Sequence, residues 1–466
     1  MTQPVRRSIL AALLCLAGAG CRGAEAVDES PLEREAIGHL VEYLKIDTSN
    51  PPGNETAAAK YLAAILAREG IASELVGSRP DRQSVIARLE SAGDEPALLL
   101  LHHLDVVPAD PSEWSVPPFS GERKSGYIWG RGAIDAKSLG IAHLMAFLEL
   151  KRSGVALRRD VVLLGVADEE AGGLAGMGEL IENRPDLFAN IGFVLNEGGG
   201  AETIVDYVSF WGIEVAQKLP LWLKVTVRDK GGHGALPPDG GGAVMRLLSV
   251  LQSIESIERP YRLTPEVARH FRILSGAKRG EQRDVLLEPM RYVSSEELHD
   301  KVRPSVRALL RDTIAVTQFR AGNSVNSIPS TAWATLDIRL LPGEDSASFL
   351  ERLSTAVAGR AEIEVLLEGK PADPSPVDTD LYRLLERLMK EREPDSIVGP
   401  IVTVGTTDSR FLRQKGIVAY GMTPFKLNYY DGDSIHGIDE RIRVRFFIEG
   451  VDLMREIVSS FCAKPR

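Results

Sequence analysis

Between Pro31 and Gly70 apolar residues recur at helical spacing. Ile37, Leu40, Val41 and Leu44 mark one helix, and a second runs from Glu55 to about Glu69. The turn Asp47-Thr-Ser-Asn-Pro-Pro-Gly53 separates them, because two prolines and a glycine leave no continuous helix. Short apolar runs follow, each ending in polar residues. Ala97 to Leu101 leads into His102, His103, Leu104 and Asp105. Asp160 to Ala167 leads into Asp168, Glu169 and Glu170, and Ile191 to Leu195 into Asn196 and Glu197. Such runs, separated by helical stretches like 136–152, predict buried strands of an α/β sheet. Ligands of open α/β sheets lie beyond the carboxyl ends of the strands. Three runs end there in His, Asp or Glu.

After about residue 215 the order changes. A strand at 221–227, a helix at 243–257, a strand at 332–340 and a helix at 346–358 predict a small sheet with two helices on one face. A charged, mostly helical insertion occupies about 259–312. From Pro374 onward a helix (381–392) and a strand (401–404) resume the earlier alternation. The expected organisation is therefore a catalytic domain in two parts, 31–214 and 371–466, interrupted by a second domain at 215–370.

Composition adds three constraints. A chain of 466 residues exceeds what one core usually supports, and a net charge of -10 argues against a nucleic-acid partner. Arg6 and Arg7 precede the apolar stretch Ile9 to Ala17, and Gly18, Ala19 and Gly20 lead to Cys21. Residues 1–21 therefore read as an export signal. The small residues before Cys21 resemble a lipoprotein signal, which predicts an exported protein, periplasmic or held at the membrane only by a lipid on Cys21. Of the three cysteines, Cys15 and Cys21 fall in or at the end of that signal, so the mature chain has no internal disulfide framework.

The candidate chemistry is individually ambiguous. Along a strand His103 and Asp105 share a face, so the carboxylate can orient a metal-bound imidazole. Asp135, in Gly130-Arg-Gly-Ala-Ile-Asp-Ala-Lys137, suits a helix cap or a bridge between two metals. In Asp168-Glu169-Glu170 one glutamate can bind metal while its neighbour acts as general base. Glu197 precedes Gly198-Gly-Gly200, and His436 lies in Asp433-Ser-Ile-His-Gly437. No phosphate-binding loop is present.

Together these segments, with Trp114, Pro117-Pro-Phe119 and the order in which they occur, resemble the zinc-dependent aminoacylase/carboxypeptidase family of metallopeptidases. The carboxypeptidase S and N-fatty-acyl-amino-acid hydrolase branch is the nearest in pattern. The resemblance implies an α/β fold with a zinc-peptidase-like, mostly parallel sheet flanked by helices. It also implies an inserted α+β, ferredoxin-like lid or dimerisation domain. Two Zn2+ per subunit are implied, with Co2+ or Mn2+ as alternatives. Asp135 would bridge them, with His103 and Glu197 completing one site and Glu170 and His436 the other. Glu169 would be the general base and Asp105 the group behind His103. His233, in Gly232-His-Gly234, would stabilise the oxyanion, often across a homodimer interface. Arg410, Asn326 and Arg339 would contact substrate.

The expected activity is hydrolysis of an amide bond beside a free carboxylate. The enzyme would act as a carboxypeptidase or dipeptidase on small peptides, or as an aminoacylase on N-acyl amino acids. The rival of a different class is a non-catalytic peptide-binding lipoprotein; the presence of all six central residues argues against it.

Overall fold

The computed structural model describes residues 29–204 and 206–464; the expected export signal and Cys21 lie outside the described residues. Among the described residues ten strands form the larger sheet. Its centre runs Arg159–Val166, Glu95–His103, Ile191–Asn196 and Val418–Gly421, all mutually parallel. Antiparallel strands Ser73–Val76 and Ser84–Leu89 extend one side, and Tyr207–Gln217 and Gly200–Ile204 the other. The sheet is mixed at its edges and parallel in the middle.

The central strands are apolar on both faces because both faces are covered. Leu98 and Leu100 point into a core shared with helices Pro31–Leu44, Glu55–Arg68, Lys137–Ser153, Asp380–Arg392 and Val444–Cys462. Leu99 and Leu101 point the other way, onto Val162, Leu164, Met177 and Leu412. Period-two alternation thus produces two apolar faces rather than one. The helix Lys137–Ser153 is buried nearly all round from Lys137 to Leu148, and it ends at Gly154, whose φ of 61° permits the left-handed stop.

A four-stranded antiparallel sheet stands apart. Its order is Thr313–Ala321, Thr331–Leu340, Leu219–Arg228 and Glu362–Glu368. Helices Gly242–Glu255 and Ser346–Val357 cover one face, packing Leu247, Val250, Phe349 and Leu353 against Leu221, Leu223, Leu336 and Ile338. The expected insertion is helical, with segments Pro265–Leu274, Gly280–Leu287, Pro289–Val293 and Pro304–Ala308. It does not join this small core. Val267, Phe271, Val285, Leu286 and Leu310 pack into the large one instead. The two helices of the small unit already cover its sheet, whereas Val267, Phe271 and Leu274 form a helical stripe that fits over strand Ile397–Thr403.

Lys218 alone separates Tyr207–Gln217 of the large sheet from Leu219–Arg228 of the small one. Its buried ammonium donates to the carbonyls of Ala308 (2.9 Å) and Arg311 (2.8 Å) and to the Thr313 hydroxyl (3.2 Å). Gly369, where the chain leaves the small sheet, donates to Pro220 O at 2.8 Å. Both crossings therefore meet at one place.

Candidate metal centre

Three parallel strands deliver polar residues to the same rim. His103 ends its strand opposite Val166, and Leu100 pairs with Leu195, so the residues after Val166 and Asn196 emerge beside His103. Asp135 arrives from the turn before helix Lys137–Ser153, through a cis Asp135–Ala136 peptide. His436 arrives from the loop before the last helix, at φ 59°.

The two oxygens of Asp135 divide between the histidines. Oδ1 is 2.9 Å from His103 Nε2 and Oδ2 is 3.1 Å from His436 Nε2. Glu197 Oε2 lies 3.6 Å from His103 Nε2, and Glu170 Oε2 lies 3.3 Å from His436 Nε2. Two groups result, His103–Asp135–Glu197 and Asp135–Glu170–His436, each with all donor atoms within 4.8 Å of one another. Glu170 Oε1 is buried without a protein partner. Imidazole and carboxylate donors without cysteine suit Zn2+ and other divalent ions of hydrolytic sites. The residues therefore fit a pair of divalent cations that share Asp135.

The electrostatics point the same way. Burial pushes the Glu197 carboxyl up to about 7, and burial followed by the Glu197 charge holds Glu169 well above the ordinary glutamate range. Hydrogen bonds that its imidazole donates to Asp135 and Glu170 lift His436 to about 10. His103 also lies well above its ordinary value, because Glu197, Asp105 and Asp135 overcome its burial. Carboxylates crowded this way need positive charge among them, from protons or from metal.

Asp105 lies behind His103 and meets it more closely through its main chain than through its side chain. His103 Nδ1 is 2.9 Å from the main-chain carbonyl of Asp105 and 3.6 Å from its carboxylate. That carboxylate is occupied elsewhere: it accepts from the amides of Glu169 (3.2 Å) and Glu170 (3.1 Å) and from Asn50 Nδ2 (2.8 Å). The strand ends at His103, so the next residues turn and the two-residue periodicity no longer applies. Asp105 thus meets the imidazole through its main-chain carbonyl and the glutamate turn through its side chain.

Behind that turn lies a buried ionic network. Arg82 Nη2 reaches Glu55 Oε1 at 2.5 Å and Asp168 Oδ1 at 2.8 Å. Asp168, at φ 72°, also accepts from Ala175 N at 2.7 Å. Gly173 follows at φ 67°, where a Cβ would sit 2.3 Å from Asp408 Oδ1. Asp408 is itself buried with both oxygens unpartnered, and burial pushes its carboxyl up to about 8. The sequence alone assigns no separate role to Asn50, Arg82, Asp168 or Asp408. Asn50 stood only in a turn, and nothing local ties Arg82 to residue 168.

A cleft of about 350 Å³ opens in front of the cluster. Asp135, Glu169, Glu170, Glu197 and His436 line one wall, and Thr403, Thr406, Thr407 and Arg410 another. The small sheet supplies Pro220, Trp222, Arg339 and Leu367. Arg339 forks onto Asp337 (Nε 2.7 Å, Nη2 3.1 Å), which also accepts from Trp222 Nε1 at 2.9 Å. Arg410 donates from Nη1 to Thr407 O at 3.1 Å and from Nη2 to Gly172 O, so part of its fork is spent on main chain. Arg339 Nη1 has no protein acceptor among the described hydrogen bonds. His233 and Asn326 are not brought to this cleft. They sit side by side on the small unit, both exposed, where Gly232–His233 pairs with Ser327–Ile328.

The profile of peptidase family M20/M25/M40 matches residues 99–460. The chain is 34% identical over 371 residues to the N-fatty-acyl-amino acid synthase/hydrolase PM20D1 of Xenopus tropicalis, covering 75% of this chain and 71% of that protein. It is 28% identical over 444 residues to aminoacylase-1 of Sus scrofa, covering 93% and 97%. Among solved structures, the M20 family metallo-carboxypeptidase Sso-CP2 from Sulfolobus solfataricus superposes with a TM-score of 0.71 at 22% identity, covering 91% of this chain and 98% of that one.

Proposed function

The chain belongs to peptidase family M20/M25/M40, whose members are metal-dependent hydrolases of amide bonds, and from that premise we propose the particular reaction. The substrate is an amide whose nitrogen side carries a free carboxylate. The observation that carries this is that the His–Asp–Glu cluster shares one cleft with Arg339, whose Nη1 has no protein acceptor among the described hydrogen bonds. A guanidinium selects carboxylate by paired hydrogen bonds. Both a carboxypeptidase or dipeptidase and an aminoacylase fit this description. The resemblance to a fatty-acyl-amino acid hydrolase and to aminoacylase-1 favours N-acyl amino acids.

His103, Asp135 and Glu197 would hold one cation and Asp135, Glu170 and His436 the other, with zinc the best match to the donors. When bound, such a pair polarises the scissile carbonyl and makes water a stronger acid. Glu169 takes one proton from the attacking water as its oxygen bonds to the carbonyl carbon. It returns that proton to the departing nitrogen as the C–N bond breaks. Its raised proton affinity suits a group that must carry a proton between two partners. Arg339, with Arg410 behind it, fixes the substrate's carboxylate and thereby the position of the carbonyl. The segment before Cys21 supports export with a lipid anchor.

A homodimer belongs to the same reading. His233 and Asn326 are exposed and do not line their own cleft, which supports contact with substrate in the cleft of a second copy. Exposed Val316, Phe319 and Val325 on the same unit supply apolar surface for such a contact. Mixing inactive His233→Ala with inactive Glu169→Gln tests this, because one intact cleft per mixed dimer restores activity. No recovery excludes the shared site.

The main test profiles zinc-loaded enzyme against dipeptides, N-acyl amino acids and the same compounds with the carboxylate amidated. Glu169→Gln keeps two equivalents of metal and loses at least about 100-fold in kcat. Equal turnover of acids and amides, or near-normal activity of Glu169→Gln, refutes the proposal.

A further inference from the structure

Asp135 and His436 are 301 residues apart in sequence (436 − 135), and a second buried ion pair joins the turns that carry them. Glu440, four residues past His436, has no solvent exposure. Each of its oxygens accepts twice. Oε2 takes Arg131 Nη1 at 2.8 Å and Gly132 N at 3.0 Å; Oε1 takes Ile134 N at 2.7 Å and Asp135 N at 3.1 Å. Arg131 Nη2 then donates to Gly437 O at 2.7 Å, one residue beyond His436. Gly130 N donates to the Glu440 carbonyl at 2.9 Å, and the Trp114 ring lies 5.1 Å from the Arg131 guanidinium.

Every hydrogen-bond partner of these two side chains belongs either to the turn that carries Asp135 or to the loop that carries His436. Neither side chain lines the cleft. We propose that Glu440 and Arg131 are positioning residues that set Asp135 and His436 at the separation a shared metal pair requires. This rests on the reading of those two residues as ligands.

The chemistry of the contacts makes the proposal specific. A carboxylate is an acceptor at both oxygens, so it can gather three amide N–H groups and a guanidinium. A glutamine of the same shape turns an N–H₂ toward two of those donors. A lysine at 131 keeps the charge but cannot fork to both Glu440 and Gly437 O. Outer groups that orient ligands typically influence metal affinity by about 10–100-fold.

The experiment titrates zinc into metal-free wild-type, Glu440→Gln and Arg131→Lys proteins against a competing chromophoric chelator. Melting of each metal-free protein is followed in parallel. Wild type binds two equivalents; the variants bind with roughly 10–100-fold lower affinity. Their zinc-bound melting temperatures fall further than their metal-free ones, and KM for substrate stays unchanged. Should Glu440→Gln not fold, Arg131→Lys carries the test alone. Wild-type zinc affinity in the folded variants overturns the inference and leaves the metal centre standing. So does equal loss of stability with and without zinc. A wild type that binds less than one equivalent overturns the metal centre, and this inference with it.

Discussion

Replacing Arg82 by methionine tests whether the glutamate turn is held from behind. The guanidinium is the cation between two carboxylates whose side chains are 0% and 6% exposed, Glu55 and Asp168. Methionine fills a similar volume but strands both charges. Breaking a buried ion pair from one side costs about 3–5 kcal/mol, because the remaining charge stays desolvated. Unfolding entropy of about 2 cal/mol/K per residue gives a chain of this length about 1 kcal/mol/K, so the melting temperature should drop by about 3–5 °C. The effect should not stop at stability. Asp168 immediately precedes Glu169 and holds Ala175 N at 2.7 Å, so its displacement moves the base and lowers kcat by roughly tenfold or more. Differential scanning calorimetry and steady-state hydrolysis give the two readouts. The double variant Arg82→Met with Glu55→Gln should recover part of the melting temperature, since one stranded charge has gone. An Arg82→Met protein that melts within about 1 °C of wild type at full kcat refutes the argument.

Three further outcomes are expected. Gly173→Ala forces a Cβ to 2.3 Å from Asp408 Oδ1 at a φ of 67°, so it should cost about 1–3 kcal/mol and depress kcat, read by urea unfolding and initial rates. Prolonged dialysis against a chelator should abolish hydrolysis, and zinc, cobalt or manganese should restore it; activity that survives metal removal contradicts the site. Burial pushes the Lys218 ammonium down to about 7. Its proton is therefore bound more weakly in the folded chain than in the unfolded one, where lysine titrates near 10. Between those values the unfolded state holds more protons, so stability rises with pH. Lys218→Met should flatten that rise in melts taken from pH 7 to 9.5.

The sequence was most legible where one segment carries both pattern and chemistry. The runs ending at His103, Glu169 and Glu197 named their strands and their exit points together, because a buried parallel strand must be apolar until it reaches the rim. Arg339 was readable as a resemblance, and the structure brings it to the cleft. The strand Thr313–Ala321 was not legible: most of its residues are exposed, so no apolar run marks it. Nor did the charge-rich stretch before it reveal that Val267 and Phe271 belong to the large core, since periodicity tells which face is apolar and not which partner it meets. The networks around Asp105 and Glu440 escaped for a related reason. Asn50, Arg82 and Arg131 act across 27 to 309 residues of chain, and single polar residues in turns carry no local mark of such partners.

With both chain crossings at Lys218, a rotation of the small unit would have an off-centre fulcrum. Pro220 pairs with Arg339 only two residues from that fulcrum, whereas strand Leu219–Arg228 carries the far end roughly 30 Å away at about 3.4 Å per residue. A swing of about 15° would shift Arg339 by a couple of ångströms and the His233–Asn326 edge by about 8 Å. Any such swing would therefore leave the position of Arg339 in the cleft nearly constant while displacing the edge that carries His233.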